Sequence, residues 1–344
     1  MAKAVKMKDI AQRLGISTMT VSKALSGKPG VGEPLREKIK QLALEMGYVS
    51  AGEVQAENRK SYNIGVILAN YYTEKCATFY WKLYQEVNKT AVKQNCFILL
   101  EIISEEEERE QALPKLLQEG KVDGLFVLGC MATDYLRMLS EKVTVPIVYL
   151  DFYLDDIKED SVISNSFYGT YQITHYLLQK GHRQIAFVGT LFSTKSITDR
   201  YLGYEKAMME MGLEVKKEWI IPDRSGARNS LEELPFPAEL PTAFVCNCDL
   251  TASRVIKQLE ESGRKVPEEV SVVGYDDYLY PGLCNVEITS YGVDMEQMAA
   301  TGLEVMLKRI SSSSARKGLY IVDGYVTEKG SVCEQFPEWR ENGK

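Results

Sequence analysis

The chain has 344 residues, 45% hydrophobic and 26% charged, a balance that fits two or three globular domains and excludes a disordered or fibrous chain. No apolar run approaches the roughly 18 residues of a membrane span, and the start, MAKAVKMKDIAQRL, lacks the apolar stretch of a signal peptide, so a cytoplasmic protein without membrane contact is expected. The net charge of −7 divides unevenly, with residues 1–50 at +5 and residues 51–344 at −12, so a polyanionic partner is expected for the head alone.

Three short helices are predicted in the head. In MKDIAQRLG (7–15), Ile10, Ala11 and Leu14 recur at helical spacing and Gly15 stops the run. ISTMTVSKALSG (16–27) is a second helix, capped by Ser17, with Val21, Ala24 and Leu25 on its buried side. PLREKIKQLALEMGY (34–48) is a third, with Leu35, Ile39, Leu42, Ala43 and Met46 inward. Three short helices with one tight glycine turn make a helix-turn-helix. The second helix turns Ser17, Thr18, Met19, Thr20, Ser22 and Lys23 outward. Short side chains let a helix sink into a major groove, hydroxyls bond phosphates, a lysine donates to guanine and a thioether touches a thymine methyl. The plainer reading is a solvated polar face, which leaves the charge asymmetry unexplained.

The run MKDIAQRLGISTMTVSKALSGKPGVGEPLREKIKQLALEMGY closely resembles the DNA-binding domain of the LacI/GalR family of bacterial transcription regulators. The resemblance implies that Thr18, Met19 and Lys23 face bases, while Ser17, Thr20 and Ser22 contact phosphates. Lys23 stands where the family usually has arginine, which loses the bidentate fork. It also makes YVSAGEVQAENRK (48–60) the hinge, which in relatives wedges a leucine into the minor groove. Here the leucine position falls on Glu57, Ser50 replaces the usual proline, Gly52 weakens a helix and Val54, one turn earlier, is the nearest branched apolar residue. A carboxylate is repelled by the groove, so this hinge is expected to bend DNA weakly or not at all.

From Tyr62 strands and helices alternate: strands at 62–69, 96–103, 124–129, 145–150, 161–164, 185–189, 243–246 and 271–276, and helices near 79–94, 133–142, 167–180, 196–211 and 249–262. SEEEEREQALPKLLQEG (104–120) opens with a capping box, Ser104 and Glu107, and its glutamates suit the positive end of the helix dipole. This alternation means parallel sheets covered by helices, here two doubly wound lobes of about five strands each. VPIVYLD, GHRQIAFVG, DRYLGYEKAM, VPEEVSVVGYDD and ITSY match family landmarks in order, so the resemblance runs from about residue 5 to 335. It implies an α/β core like that of periplasmic sugar-binding proteins, with crossovers near 162–165, 290–293 and 320–324. The division is then 1–48 head, 49–61 hinge, 62–335 core and 336–344 tail. The first lobe takes about 62–162 and 294–320, and the second about 163–290 and 321–335.

Ligands of such folds bind between the lobes at the carboxyl ends of the strands. By resemblance Asp151, Arg200 and Asp276 bind the effector, and their chemistry suits a sugar or other polyol: carboxylates accept from hydroxyls and a guanidinium donates in a fork. CNCDL (246–250) puts Cys248 where the family's ligand-binding asparagine stands, and Asn165-Ser166 replaces the usual Asp-Asn, so the pocket is altered. Of the aromatics at 71–81, Tyr71 or Phe79 is expected to line the pocket. The seven scattered cysteines read as reduced thiols; CNC lacks further ligands nearby and there are two histidines, so no metal or cofactor is expected. The expected function is an allosteric repressor, a homodimer with a tetramer left open, that binds double-stranded operator DNA and a small polar effector. A solute-binding protein fits the body but not the head. An enzyme is not expected, because there is no GxSxG elbow, P-loop or GxGxxG.

Overall fold

The computed structural model describes residues 5–25, 30–46, 61–74, 79–156, 159–225, 229–231, 233–278, 282–312 and 316–335. The hinge positions Val54 and Glu57 and the tail lie outside them. The chain forms two compact units, 1–60 and 61–344.

In the first unit α1 spans Met7–Leu14, α2 Thr18–Leu25 and α3 Glu33–Glu45. Gly15 ends α1 at φ +67°, a left-handed conformation that costs glycine little. Ser17 caps α2, its Oγ accepting the Thr20 N–H at 3.1 Å. Ile10, Ala11, Val21, Ala24, Ile39 and Ala43 form the core. Arg36 of α3 donates to the Ala24 carbonyl at 3.1 Å, satisfying an otherwise orphaned acceptor at the end of α2.

The second unit contains two six-stranded sheets. Its strands are β1 (Tyr62–Ala69), β2 (Cys96–Ile103), β3 (Gly124–Leu128), β4 (Ile147–Leu150), β5 (Asp160–Ser164), β6 (Ile185–Val188), β7 (Ile220–Ile221), β8 (Arg224–Ser225), β9 (Asn229–Ser230), β10 (Ala243–Cys246), β11 (Ser271–Asp276), β12 (Thr289–Gly292), β13 (Leu319–Val322) and β14 (Tyr325–Thr327). The first sheet runs β13-β5-β4-β3-β1-β2 and the second β14-β12-β11-β10-β6-β7; within these two sheets every pairing is parallel except β12 with β14, and β8 and β9 form a separate antiparallel pair. Strands β3, β4, β6 and β10 are buried throughout, as helices on both faces require, and so read as unbroken apolar runs. Each sheet exceeds the five strands expected: β7, β13 and β14 are two to four residues long and carry no clear alternation. The 104–120 segment differs from one helix. It holds two, Glu105–Glu110 and Lys115–Gln118, because Pro114 has no N–H to continue the first. The Ser104–Glu107 capping box is formed, with Ser104 N–H donating to Glu107 Oε2 at 2.9 Å and Glu107 N–H to Ser104 Oγ at 3.2 Å.

The chain passes between the lobes three times: from β5 into the helix Ser166–Gln179, from β12 into the helix Met295–Ser311, and from β13 to β14. Asn165 ties two of these passages, its Nδ2 donating to Asp323 Oδ1 at 2.7 Å while its Oδ1 caps the helix through the Tyr168 N–H at 3.3 Å. The helices Ser166–Gln179 and Lys195–Glu210 pack closely because Gly203 has no side chain; a Cβ there would sit 2.0 Å from the Phe167 carbonyl oxygen. Among the described residues no helix is long and apolar enough to cross a membrane.

Candidate functional site

The head presents one polar face. Opposite the α2 core residues Val21 and Ala24, the side chains of Ser17, Thr18, Met19 and Lys23 are exposed, and those of Thr20 and Ser22 are half-buried. Met19 is 68% exposed, a large apolar side chain left in solvent on a helix whose other face supplies the core. The Ser17 and Thr20 hydroxyls lie 2.8 Å apart and hold each other in place at the start of the helix.

The second unit holds a cavity of about 710 Å³ between its two lobes. It lies beyond the carboxyl ends of β3, β4, β5 and β6, where the loops 130–133, 151–154 and 193–196 and residues Ser164 and Ser166 converge. Asp151 follows β4 and lines the cavity with its backbone at φ +71°, a left-handed conformation that aspartate tolerates better than most residues other than glycine. Its Oδ2 accepts the Tyr80 hydroxyl at 2.9 Å. Burial pushes the Asp151 carboxyl up, against the lowering pull of Arg200 and of the Tyr80 hydrogen bond.

Arg200, Asp276 and Cys248 do not line this cavity. Arg200 is buried and held by the protein: Nη2 is 3.8 Å from Asp276 Oδ1, Nε donates to Ser166 Oγ at 3.4 Å, Nη1 donates to the Asn247 carbonyl and the guanidinium lies 3.7 Å above the Tyr275 ring. The fork expected to meet a ligand is thus engaged within the second lobe, where helix Lys195–Glu210 turns it toward β11. Asp276 ends β11 at φ +109°, and burial pushes its carboxyl well up despite Arg200. It borders a second, polar cavity of about 500 Å³, with Lys82, Lys89, Asp277 and Asp294. Cys248 precedes the helix Asp249–Glu261, its Sγ 3.4 Å from Thr251 Oγ1; burial, with Asp276 adding and Arg224 opposing, pushes the thiol up to about 11. It is a neutral thiol, a poor substitute for an asparagine amide.

Neither Tyr71 nor Phe79 lines the larger cavity; Tyr72 and Tyr80, one residue further along, do. The hydrogen bond to Asp151 turns Tyr80 inward, and Phe79 packs edge-on against it at 5.2 Å. Tyr72 donates to the Cys130 carbonyl at 2.9 Å, with Tyr71 edge-on at 5.3 Å. Phe152 and Tyr153 complete an aromatic wall. The sequence reading also missed Lys195 and Asp199, although a spacing of four on one helix puts both on the same face. They join the lobes at the cavity: Lys195 pairs with Asp155 and lies 5.8 Å over the Tyr153 ring, whose hydroxyl donates to Asp199 Oδ2 at 3.4 Å.

A family model described as "Bacterial regulatory proteins, lacI family" matches residues 6–50, and one described as "Periplasmic binding protein-like domain" matches residues 174–332. The HTH-type transcriptional repressor PurR of Glaesserella parasuis serovar 5 (strain SH0165) is 28% identical over 338 residues, covering 96% of each chain. PurR of Vibrio campbellii (strain ATCC BAA-1116) is 25% identical, over 95% of this chain and 98% of that one. Among solved structures, the transcriptional regulator CelR–cellobiose complex is similar at TM-score 0.65 and 21% identity, over 95% of this chain and 99% of that one. The lac repressor dimer bound to operator and the anti-inducer ONPF is similar at TM-score 0.62 and 20% identity, over 96% of this chain and 100% of that one.

Proposed function

We propose that the chain acts as a member of the LacI/GalR family of bacterial transcription regulators, a DNA-binding repressor with an effector-binding core and not an enzyme, and that the following residues carry its two activities. Thr18, Met19 and Lys23 read base edges of a near-palindromic operator, and Ser17, Thr20 and Ser22 fix the register on phosphates. A homodimer supplies two such helices for successive major grooves. The effector, a small polar molecule such as a sugar, occupies the 710 Å³ cavity and touches Asp151. Favouring one lobe arrangement, it changes operator affinity by a coupling of about 1–3 kcal/mol. The Glu57 hinge transmits that change with little or no bending of the DNA.

The observation that carries this reading is the lining of the cavity by both lobes: Asp151 and Tyr80 come from the first, Ser193–Ser196 and Asp199 from the second. A molecule held there has different contacts in open and closed forms, which is what a ligand needs in order to shift an equilibrium. The test is a thermal-shift screen of sugars, sugar phosphates, nucleosides and amines on the wild type and Asp151→Asn. A ligand that binds the folded state raises the melting temperature of the wild type. The site assignment fails if hits shift both proteins equally.

A further inference from the structure

Two carboxylates face the cavity without an ion pair to a protein cation among the described residues, although Arg200 pulls on both and Lys195 on Asp199. Asp151 accepts the Tyr80 hydroxyl on Oδ2, and its Oδ1 accepts nothing among the described residues. Among the described residues the Asp199 carboxylate accepts only the Tyr153 hydroxyl, at 3.4 Å. The two cations that line the same cavity are paired with carboxylates, Lys195 with Asp155 and Arg109 with Glu106, and Lys195 also lies over the Tyr153 ring. Arg200 lies behind the wall, paired with Asp276. The lining therefore holds four carboxylates, those of Glu105, Glu108, Asp151 and Asp199, against two cations. Tyr72, Tyr80, Phe152 and Tyr153 add aromatic side chains to the lining, beside the hydroxyls of Thr133, Ser164, Ser166, Ser193, Thr194 and Ser196. Ring faces attract organic cations, and carboxylates bond them through charge-assisted N–H···O contacts.

We propose that the ligand of this cavity carries a protonated amine, held by Asp151 and Asp199 against the aromatic wall, as in an amino sugar or another small organic ammonium ion. This deepens, and rests on, the reading of the cavity as the effector site. Asp151 stands at the end of a strand of the first lobe and Asp199 on a helix of the second, so a cation between them attracts both lobes at once. A neutral polyol bonds either carboxylate but brings no charge to attract both. Burial raises both carboxyls above their usual range, a cost that a bound cation relieves.

Benzylammonium and benzyl alcohol, which share size and ring and differ in charge, are suitable probes for isothermal titration calorimetry on the full chain at low salt. Benzylammonium is expected to bind the wild type at least about tenfold more tightly. Asp199→Asn and Asp151→Asn are each expected to weaken benzylammonium about tenfold and to leave benzyl alcohol within about twofold. The comparison of the two probes on the wild type needs no variant, so a variant that fails to fold does not remove the test. Equal affinity of the two probes, or tighter binding of the alcohol, or no binding of the cation, overturns the proposal. If neutral sugars nonetheless bind in an Asp151-dependent way, the effector-site reading stands without it. If neither probe nor any sugar binds, both fall.

Discussion

Tyr80 and Asp151 meet at 2.9 Å, the hydroxyl of an aromatic residue on the helix Phe79–Lys93 donating to the carboxylate that follows β4. This contact sets the Asp151 side chain at the cavity wall. Tyr80→Phe keeps the ring and removes the donor. It is expected to cost about 0.5–1.5 kcal/mol of stability and to raise the Asp151 carboxyl further, because the lost hydrogen bond favours the ionised form. A carbon-13 NMR titration of the aspartate carboxyls reads the change; an unmoved Asp151 resonance contradicts the assignment.

A second pair closes the first lobe. Arg309, on the helix Met295–Ser311, donates from Nε to Asp160 Oδ2 at 2.6 Å and from Nη2 to Oδ1 at 3.0 Å, and both residues are buried. The Gly318 N–H adds a bond to Oδ1 at 3.0 Å, so the pair also anchors the approach to β13. Arg309→Met leaves a buried carboxylate without its partner and is expected to cost about 3–5 kcal/mol in urea unfolding. The double variant Asp160→Leu/Arg309→Met removes both charges and is expected to recover most of that loss.

His182 sets an acid limit. It is buried, its Nε2 bonded to the Cys333 carbonyl at 3.1 Å and its Nδ1 2.9 Å from Thr242 Oγ1, and burial lowers it from 6.5 to about 4. Below pH 6.5 the unfolded chain takes up a proton that the folded one refuses, so stability is lost as pH falls toward 4 and the loss then levels off. Asp249, raised to about 7, works in the opposite direction, but equally in variants that leave it alone. The stability of wild type relative to His182→Gln should therefore fall by up to about 3 kcal/mol between pH 7 and 4. A difference that stays constant with pH rules this out.

Gly203 permits the close contact of the helices Ser166–Gln179 and Lys195–Glu210, and the second of these carries Lys195, Asp199 and Arg200. Gly203→Val forces the helices apart. It is expected to cost about 1–3 kcal/mol and to weaken ligand binding, since it displaces one wall of the cavity. Thermal unfolding and calorimetry on the same sample check both parts.

The head was legible almost entirely in the sequence, because glycine, a capping serine and 3.6-residue apolar spacing fix short helices locally. The buried strands β3, β4, β6 and β10 were legible for the same kind of reason, since burial on both faces leaves an uninterrupted apolar run. The short strands β7, β13 and β14 were not, because their pairing depends on partners far along the chain. At the cleft, Asp151 was found from its place after a strand, whereas the inward turn of Tyr80 rather than Phe79 is decided by a hydrogen bond across 71 residues. Arg200 was found as a residue but not in its setting: its ion pair with Asp276 and its stacking on Tyr275 arise only when β11 and the helix Lys195–Glu210 come together.

Whether the exposed face of α2 reads DNA is decided by equilibrium binding of wild type and Lys23→Ala to two duplexes at fixed salt. One duplex is selected by the protein from a random pool and the other is its scrambled counterpart. The wild type should prefer the selected duplex by about a thousandfold or more, and Lys23→Ala should reduce that preference by roughly tenfold or more, a loss of about 1–3 kcal/mol on the selected duplex. A preference left intact by Lys23→Ala, or no detectable affinity of the wild type for any duplex at low salt, rules out base reading by this face of α2.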